Sequence, residues 1–261
     1  MLHATDLHVK LGRKTVLDGV EFSAHAGHLT AIVGPNGSGK TTLIRALTQE
    51  IPYQGRILMG GVDIADMPAS DLATRRAVLP QASKIAFPFT VLEIVRLGLL
   101  AGSYGAESSL PQRALARVGL DGFEGRFYQD LSGGEQQRVQ LARVLAQVWD
   151  PLEGETPRWL FLDEPVSSLD IGHQLRVMQT AKDFAQAGGG VVAVMHDLNL
   201  TAMYADRIVL MSDGKIQASG SPNEVICDDT LSHAYRCSLK VNAAPEGIAP
   251  FVLPHHAGRV A

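Results

Sequence analysis

Apolar and polar positions divide this chain into two kinds of segment. From Leu2 to Val33 the apolar positions favour strands, broken by turn signals at Gly12-Arg13-Lys14 and Ala26-Gly27-His28. The run Leu29-Thr30-Ala31-Ile32-Val33 is short, apolar and bounded by glycines, so it reads as a buried parallel strand feeding the glycine-rich loop after it. A helix is expected from Lys40 to about Leu47, and a strand near Arg56 to Met59 that closes on Gly60-Gly61. The middle of the chain is helical in character. Thr90-Val91-Leu92-Glu93 has the Thr-x-x-Glu capping arrangement, and Pro111 opens a second helix toward Val118. Alternation then returns: Trp159 to Leu162, Val191 to Met195 and Ile208 to Met211 read as strands, separated by helical stretches such as Leu175 to Ala187. Strands and helices alternating around an inserted helical block indicate an α/β core with a helical subdomain. Trp149 to Pro157 reads as a surface loop, and the tail from Ala244, rich in Pro and Gly, as poorly specified.

Composition narrows the function classes. A chain of 261 residues, 46% of them hydrophobic, can bury a sizeable core. Its formal net charge of -4 argues against the basic footprint of a nucleic-acid binder, so no nucleic-acid partner is expected. Cys227 and Cys237 fit neither a zinc site nor a CxxC redox pair and imply a reducing compartment. The start of the chain, Met1-Leu2-His3-Ala4-Thr5-Asp6, lacks the basic and apolar regions of a secretory signal, and no run approaches the ~20 apolar residues of a membrane span. The chain is therefore expected to stay in the cytoplasm, and any membrane role to come from docking onto other subunits.

Two motifs carry chemistry. Gly34-Pro35-Asn36-Gly37-Ser38-Gly39-Lys40-Thr41 matches G-x-x-x-x-G-K-[ST] between an expected strand and an expected helix. Glycines let the backbone wrap a polyphosphate, so that N–H groups donate to its oxygens at the positive end of the helix. Lys40 would reach the β and γ phosphates, and Thr41 offers a hydroxyl to Mg²⁺. Downstream, Trp159-Leu160-Phe161-Leu162-Asp163-Glu164 puts two carboxylates directly after an apolar strand, where open α/β sheets bind ligands. Asp163 is the candidate Mg²⁺ partner and Glu164 the candidate that polarises the attacking water. A second helix start, Leu131-Ser132-Gly133-Gly134-Glu135-Gln136-Gln137-Arg138, pairs Ser132 and Glu135 in a capping box and bares the backbone at its glycines.

This second start resembles the LSGGQ signature of ATP-binding cassette proteins, with Glu135 in place of the usual glutamine. The resemblance implies a P-loop NTPase (RecA-like) α/β core with an N-terminal antiparallel β subdomain and an inserted α-helical subdomain. It covers residues 2–243, the helical part at about 88–150, and leaves 244–261 as a C-terminal tail. It implies ATP and Mg²⁺ as cofactors and a homodimer in which Ser132, Gly133 and Gly134 of one subunit cap the ATP held by the other. Thr42 joins the phosphate loop on the same grounds. Gln81 matches the glutamine loop that contacts Mg²⁺ and water, Ser168-Leu169-Asp170 the loop that crosses the dimer interface, and His196 the histidine that grips the γ-phosphate and orients Glu164.

Some positions depart from that pattern. Leu11 stands where many relatives place an aromatic over adenine, so the base would rest on apolar contact from Leu11 or Val16. Val166 replaces a common threonine after Glu164-Pro165, and the closing His255-His256 is too short for a metal site. The stretch Leu79 to Val91 and the extended loop from Trp149 to Arg158 look like those of bacterial haem (hemin) importers, relatives of the siderophore and vitamin B12 importers. That likeness implies two transmembrane permease subunits, a periplasmic haem-binding protein acting through them, and a peripheral place on the cytoplasmic face of the inner membrane. An iron-chelate or cobalamin importer is the alternative. A soluble cassette ATPase acting on ribosomes or DNA is disfavoured by the lack of tandem cassettes or long coiled-coil insertions, and a non-hydrolysing regulatory cassette by intact Lys40, Asp163, Glu164 and His196.

Overall fold

Alternating burial along the first two strands lays one face of an antiparallel sheet on the core. The computed structural model describes residues 1–81, 85, 87–102, 104, 109–244, 247 and 250–256. Strand β1 (Leu2–Leu11) and strand β2 (Lys14–Ala24) pair antiparallel, and Leu2, Ala4, Leu7 and Val9 of β1 point inward. Strand β3 (Leu29–Val33) leads into helix α1 (Lys40–Leu47). Strands β4 (Gln54–Met59) and β5 (Val62–Asp63) complete an antiparallel sheet of order β2-β1-β4-β5.

Helix α2 (Ala69–Arg75) and strand β6 (Arg76–Leu79) follow. Then come three helices, α3 (Val91–Ala101), α4 (Leu110–Arg117) and α5 (Gly133–Gln147). Thr90 caps α3 in a reciprocal box with Glu93, as the sequence pattern indicates. Helices α3 and α4 both pack on α5. At the α3–α5 crossing a Cβ on Gly98 would lie 2.0 Å from the Arg143 carbonyl oxygen, so only glycine permits that approach.

The Trp149–Pro157 segment departs from a plain loop. Strands β7 (Leu152–Glu153) and β8 (Thr156–Pro157) form a minimal hairpin around Gly154, which adopts φ 60°. Arg158, only 4% exposed, anchors it by donating to the carbonyls of Asp150 and Thr74 and to the Tyr104 hydroxyl. The Tyr104 phenol is pushed up to about 12, chiefly by burial.

Beyond the hairpin run β9 (Trp159–Asp163), α6 (Ile171–Gln186), β10 (Gly190–Val194), α7 (Leu198–Tyr204), β11 (Arg207–Ser212), β12 (Lys215–Gly220), α8 (Pro222–Val225) and α9 (Asp228–Tyr235). Helix α6 starts one turn before the expected Leu175, because the Asp170 side chain accepts from the His173 N–H and caps it there. The main sheet has the order β12-β11-β3-β10-β9-β6, parallel throughout except for the antiparallel edge strand β12.

Every residue of β3, β9 and β10 is buried, as expected of parallel strands covered on both faces. Alternation along β9 sends Trp159 and Phe161 toward α1 and the antiparallel sheet, and Leu160 and Leu162 toward the helical block. Among the described residues no helix is long and apolar enough to cross a membrane. Pro254–His256 form a single 3-10 turn packed on α7, while residues 82–84 and 86 of the Leu79–Val91 stretch and much of the tail lie outside the described residues.

Candidate functional site

Parallel register gathers the candidate residues at one edge. Val194 lies beside both Ile32 and Asp163, and Leu79 beside Leu162, so Gly34, Gln81, Glu164 and His196 all leave the sheet at its carboxyl edge. The phosphate-type loop hugs this edge because its glycines allow it. Gly34 sits at φ 144°, and a Cβ there would stand 2.0 Å from the Met211 carbonyl oxygen. Gly39, at φ 102°, is the N-cap of α1 and brings no side-chain cap, so the first amides of α1 are left for another acceptor. Pro35, Asn36, Gly37 and Ser38 form the body of the loop, and Ser38 Oγ is buried without a hydrogen-bond partner.

Lys40 is buried and donates to the carbonyls of Gly34 at 2.8 Å and Pro35 at 3.0 Å. Burial lowers the pKa of its ammonium, while Glu164 and Asp163 work the other way. The Thr41 hydroxyl donates to Asp163 Oδ1 at 3.2 Å, and Thr42 follows it on α1. Burial raises the Asp163 carboxyl above its ordinary range against the pull of the Thr41 hydrogen bond. Two hard oxygen donors at this separation, one a buried carboxylate, suit a divalent cation that also takes phosphate oxygens.

Glu164 takes φ 53°, a left-handed conformation uncommon for a residue with a side chain. Its N–H donates to the Val194 carbonyl at 3.2 Å, and its side-chain Oε1 lies 2.6 Å from His196 Nε2. A carboxylate held this way against an imidazole, at the mouth of a phosphate-binding loop, can polarise water for attack on phosphorus. Lys40, Thr41, Asp163, Glu164 and His196 thus sit together. Gln81 is exposed at the same edge, where it lines a cleft with Gly133, Gln137 and Ser168.

The Ser132 capping box forms as its sequence indicates. Glu135 Oε2 accepts from both the N–H and the hydroxyl of Ser132 at 2.8 Å, and these bonds pull the Glu135 pKa down. Within the chain this helix start rests on the loop after the acidic pair: a Cβ on Gly134 would meet Leu169 and the Ser168 carbonyl at 3.2 Å, whereas one on Gly133 would meet nothing within 4 Å. Asp170 pairs with its own helix through His173. Leu11 is 47% exposed on the β1–β2 turn with Val16 half-buried nearby, leaving an open apolar surface.

Two contacts here have no counterpart in the motif reading. Gln137 Nε2 donates to the Glu164 carbonyl at 3.0 Å, and the Gly34 backbone lies close enough to the Tyr235 phenol to offset part of the upward pull of burial on its pKa. Gln137 stands within the Leu131–Arg138 motif, five residues past Ser132, where neither the capping pattern nor a helical period from Ser132 marks it.

The chain is similar to known proteins along its length. The family model described as ABC transporter matches residues 17–167. A hemin import ATP-binding protein HmuV from Jannaschia sp. (strain CCS1) is 65% identical over 99% of this chain and 96% of its own length. Its namesake from Mesorhizobium japonicum is 57% identical over 97% of this chain and 98% of its own. Among solved structures, a dimeric ATP-binding cassette in a post-hydrolysis state with ADP and Pi bound superposes with a TM-score of 0.75 at 26% identity, over 85% of this chain and 99% of that one. With the phosphate loop, the acidic pair and the capped Ser-Gly-Gly helix in their places, this chain belongs to the ABC transporter family, among its ATPases.

Proposed function

We propose that this chain is the ATP-hydrolysing subunit of a bacterial hemin importer. The observation that carries the chemistry is the convergence of Lys40, Thr41, Asp163, Glu164 and His196 on one sheet edge, with Glu164 and His196 in contact at 2.6 Å. Hemin as cargo is supported by the relatives named above, which are hemin import subunits over nearly their whole length.

In this reading residues 2–243 form one nucleotide-binding domain, its helical part at about 88–150, and residues 244–261 a tail. Gly34 to Thr42 cradle the triphosphate, while Leu11 and Val16 offer the apolar surface for adenine. Thr41, Asp163 and Gln81 would hold Mg²⁺, which would supply charge neutralisation to the transferring phosphoryl group. Glu164 accepts a proton from the attacking water as its oxygen bonds to the γ-phosphorus and the bond to the ADP oxygen breaks. His196 keeps that carboxylate in place.

A second copy of the chain presents Ser132, Gly133 and Gly134 to the same γ-phosphate, with Asp170 on the loop between the copies. Closure of this homodimer on ATP, and its release after hydrolysis, moves two transmembrane permease subunits. Exposed apolar side chains, Phe87 and Phe127 beside the Thr90–Phe127 bridge and Leu100 on α3, suit such a partner. The assembly lies on the cytoplasmic face of the inner membrane and takes cargo from a periplasmic haem-binding protein.

The test is ATP turnover of the reconstituted complex with cargo-loaded binding proteins. Stimulation by the haem-loaded protein is expected. Stimulation by a ferric-siderophore or cobalamin protein instead would overturn the cargo and leave the ATPase reading standing.

A further inference from the structure

The left-handed backbone of Glu164, at φ 53°, is strained for a residue with a side chain, so surrounding contacts must hold it. Three come from the α/β core: its N–H donates to the Val194 carbonyl at 3.2 Å, and its carbonyl accepts from Ser167 N–H at 3.4 Å and Ser167 Oγ at 3.3 Å. A fourth comes from the helical block, where Gln137 on α5 donates from Nε2 to the same carbonyl at 3.0 Å. Gln137 Oε1 is buried without a partner, so the amide is seated by that one donation.

Helix α5 is also the helix that Ser132 caps, and Gly134, three residues before Gln137, rests on Ser168 and Leu169 just beyond Glu164. The core contacts travel with the core, whereas the Gln137 contact travels with α5. Rotation of the helical block against the core would break the fourth contact and leave the other three in place.

We infer that Gln137 is a positioning residue which makes the working geometry of Glu164 conditional on the seating of α5. The helix whose first turn faces the opposite nucleotide in the dimer thereby sets the carboxylate of its own site, and the two sites are linked through one amide. This inference rests on Glu164 as the water-polarising group.

Turnover and ATP binding of the full chain, assembled with its permease pair, separate the possibilities. Gln137→Glu is nearly isosteric but replaces the donor by an acceptor. It is expected to lower kcat about 10- to 100-fold while KM for ATP stays within about twofold and the unfolding midpoint is unchanged. Gln137→Lys restores an N–H donor of similar reach and should recover most of the turnover, and Glu164→Gln serves as control.

Equal losses in the Glu and Lys variants, a change confined to KM, or parent-like turnover in Gln137→Glu beside an inactive Glu164→Gln would each overturn the role of Gln137. Sustained turnover in Glu164→Gln would instead overturn the reading beneath it. Should Gln137→Glu fold poorly, the comparison of Gln137→Ala with Gln137→Lys carries the same decision.

Discussion

His196 Nε2 and Glu164 Oε1 stand 2.6 Å apart at the ends of two neighbouring parallel strands, β10 and β9. The pair is a by-product of register, since a one-residue slip would turn each side chain to the opposite face of the sheet. Removing the Glu164 carboxylate should therefore act on chemistry and spare binding. Glu164→Gln is expected to bind ATP like the parent and lose about 100-fold or more in turnover, accumulating as a nucleotide-bound dimer. Phosphate release together with size-exclusion chromatography in ATP checks this, and near-parental hydrolysis would remove Glu164 from its role.

A substitution at the capped helix start separates the two halves of the shared site. Ser132→Arg places a bulky cation where the proposed partner's phosphate would lie. Turnover should fall at least about 100-fold, while nucleotide titrations of a single chain give an unchanged affinity. Unaltered hydrolysis would mean that this surface never meets a nucleotide.

Asp163 offers a stability test with a defined pH dependence. Its carboxyl has a folded pKa raised by burial, so the ionised form penalises the folded state at neutral pH. Asp163→Asn should raise nucleotide-free stability on the order of 1 kcal/mol at pH 7 and abolish Mg²⁺-dependent turnover. A raised acid pKa contributes stability below the unfolded pKa that is lost as pH rises through the folded one. The advantage of the Asn variant should accordingly shrink as pH falls through the folded pKa of the parent, which denaturant melts across pH 4 to 7 would follow.

Arg158 carries a purely structural expectation. It is 4% exposed and serves two backbone carbonyls, Thr74 and Asp150, together with the Tyr104 hydroxyl and Glu153. Arg158→Ala removes a buried cation and leaves these partly buried acceptors without their donor, and should cost about 3 kcal/mol. ATP turnover well below the melting temperature should change little, and thermal unfolding in parallel with activity assays distinguishes the two effects.

What the sequence made legible was local. Helix α1 begins at Lys40 and ends at Leu47 as its glycine loop and apolar period indicate, and both capping boxes, Thr90–Glu93 and Ser132–Glu135, form where their spacing puts them. Strands β9 and β10 were readable because both their faces are buried. Helix α6 begins one turn before its apolar period indicates, because Asp170, a loop residue in the motif pattern, caps it by accepting from the His173 N–H. Contacts between distant segments left no periodic trace. Thr41 meets Asp163 across 122 residues, and Gln137 meets Glu164 only once α5 lies on the core. Tyr104, beyond the end of α3, and Arg158, just after the hairpin, likewise meet across 54 residues.

Lys40 gives the phosphate loop a property beyond charge. Its ammonium rests on the oxygens of Gly34 and Pro35, so an arriving triphosphate swaps one set of acceptors for another. A chain of phosphates supplies several acceptors in that exchange and also engages the amides at the start of α1. The loop is thus braced by the very cation that a nucleotide would recruit, and its shape is set before any ligand arrives.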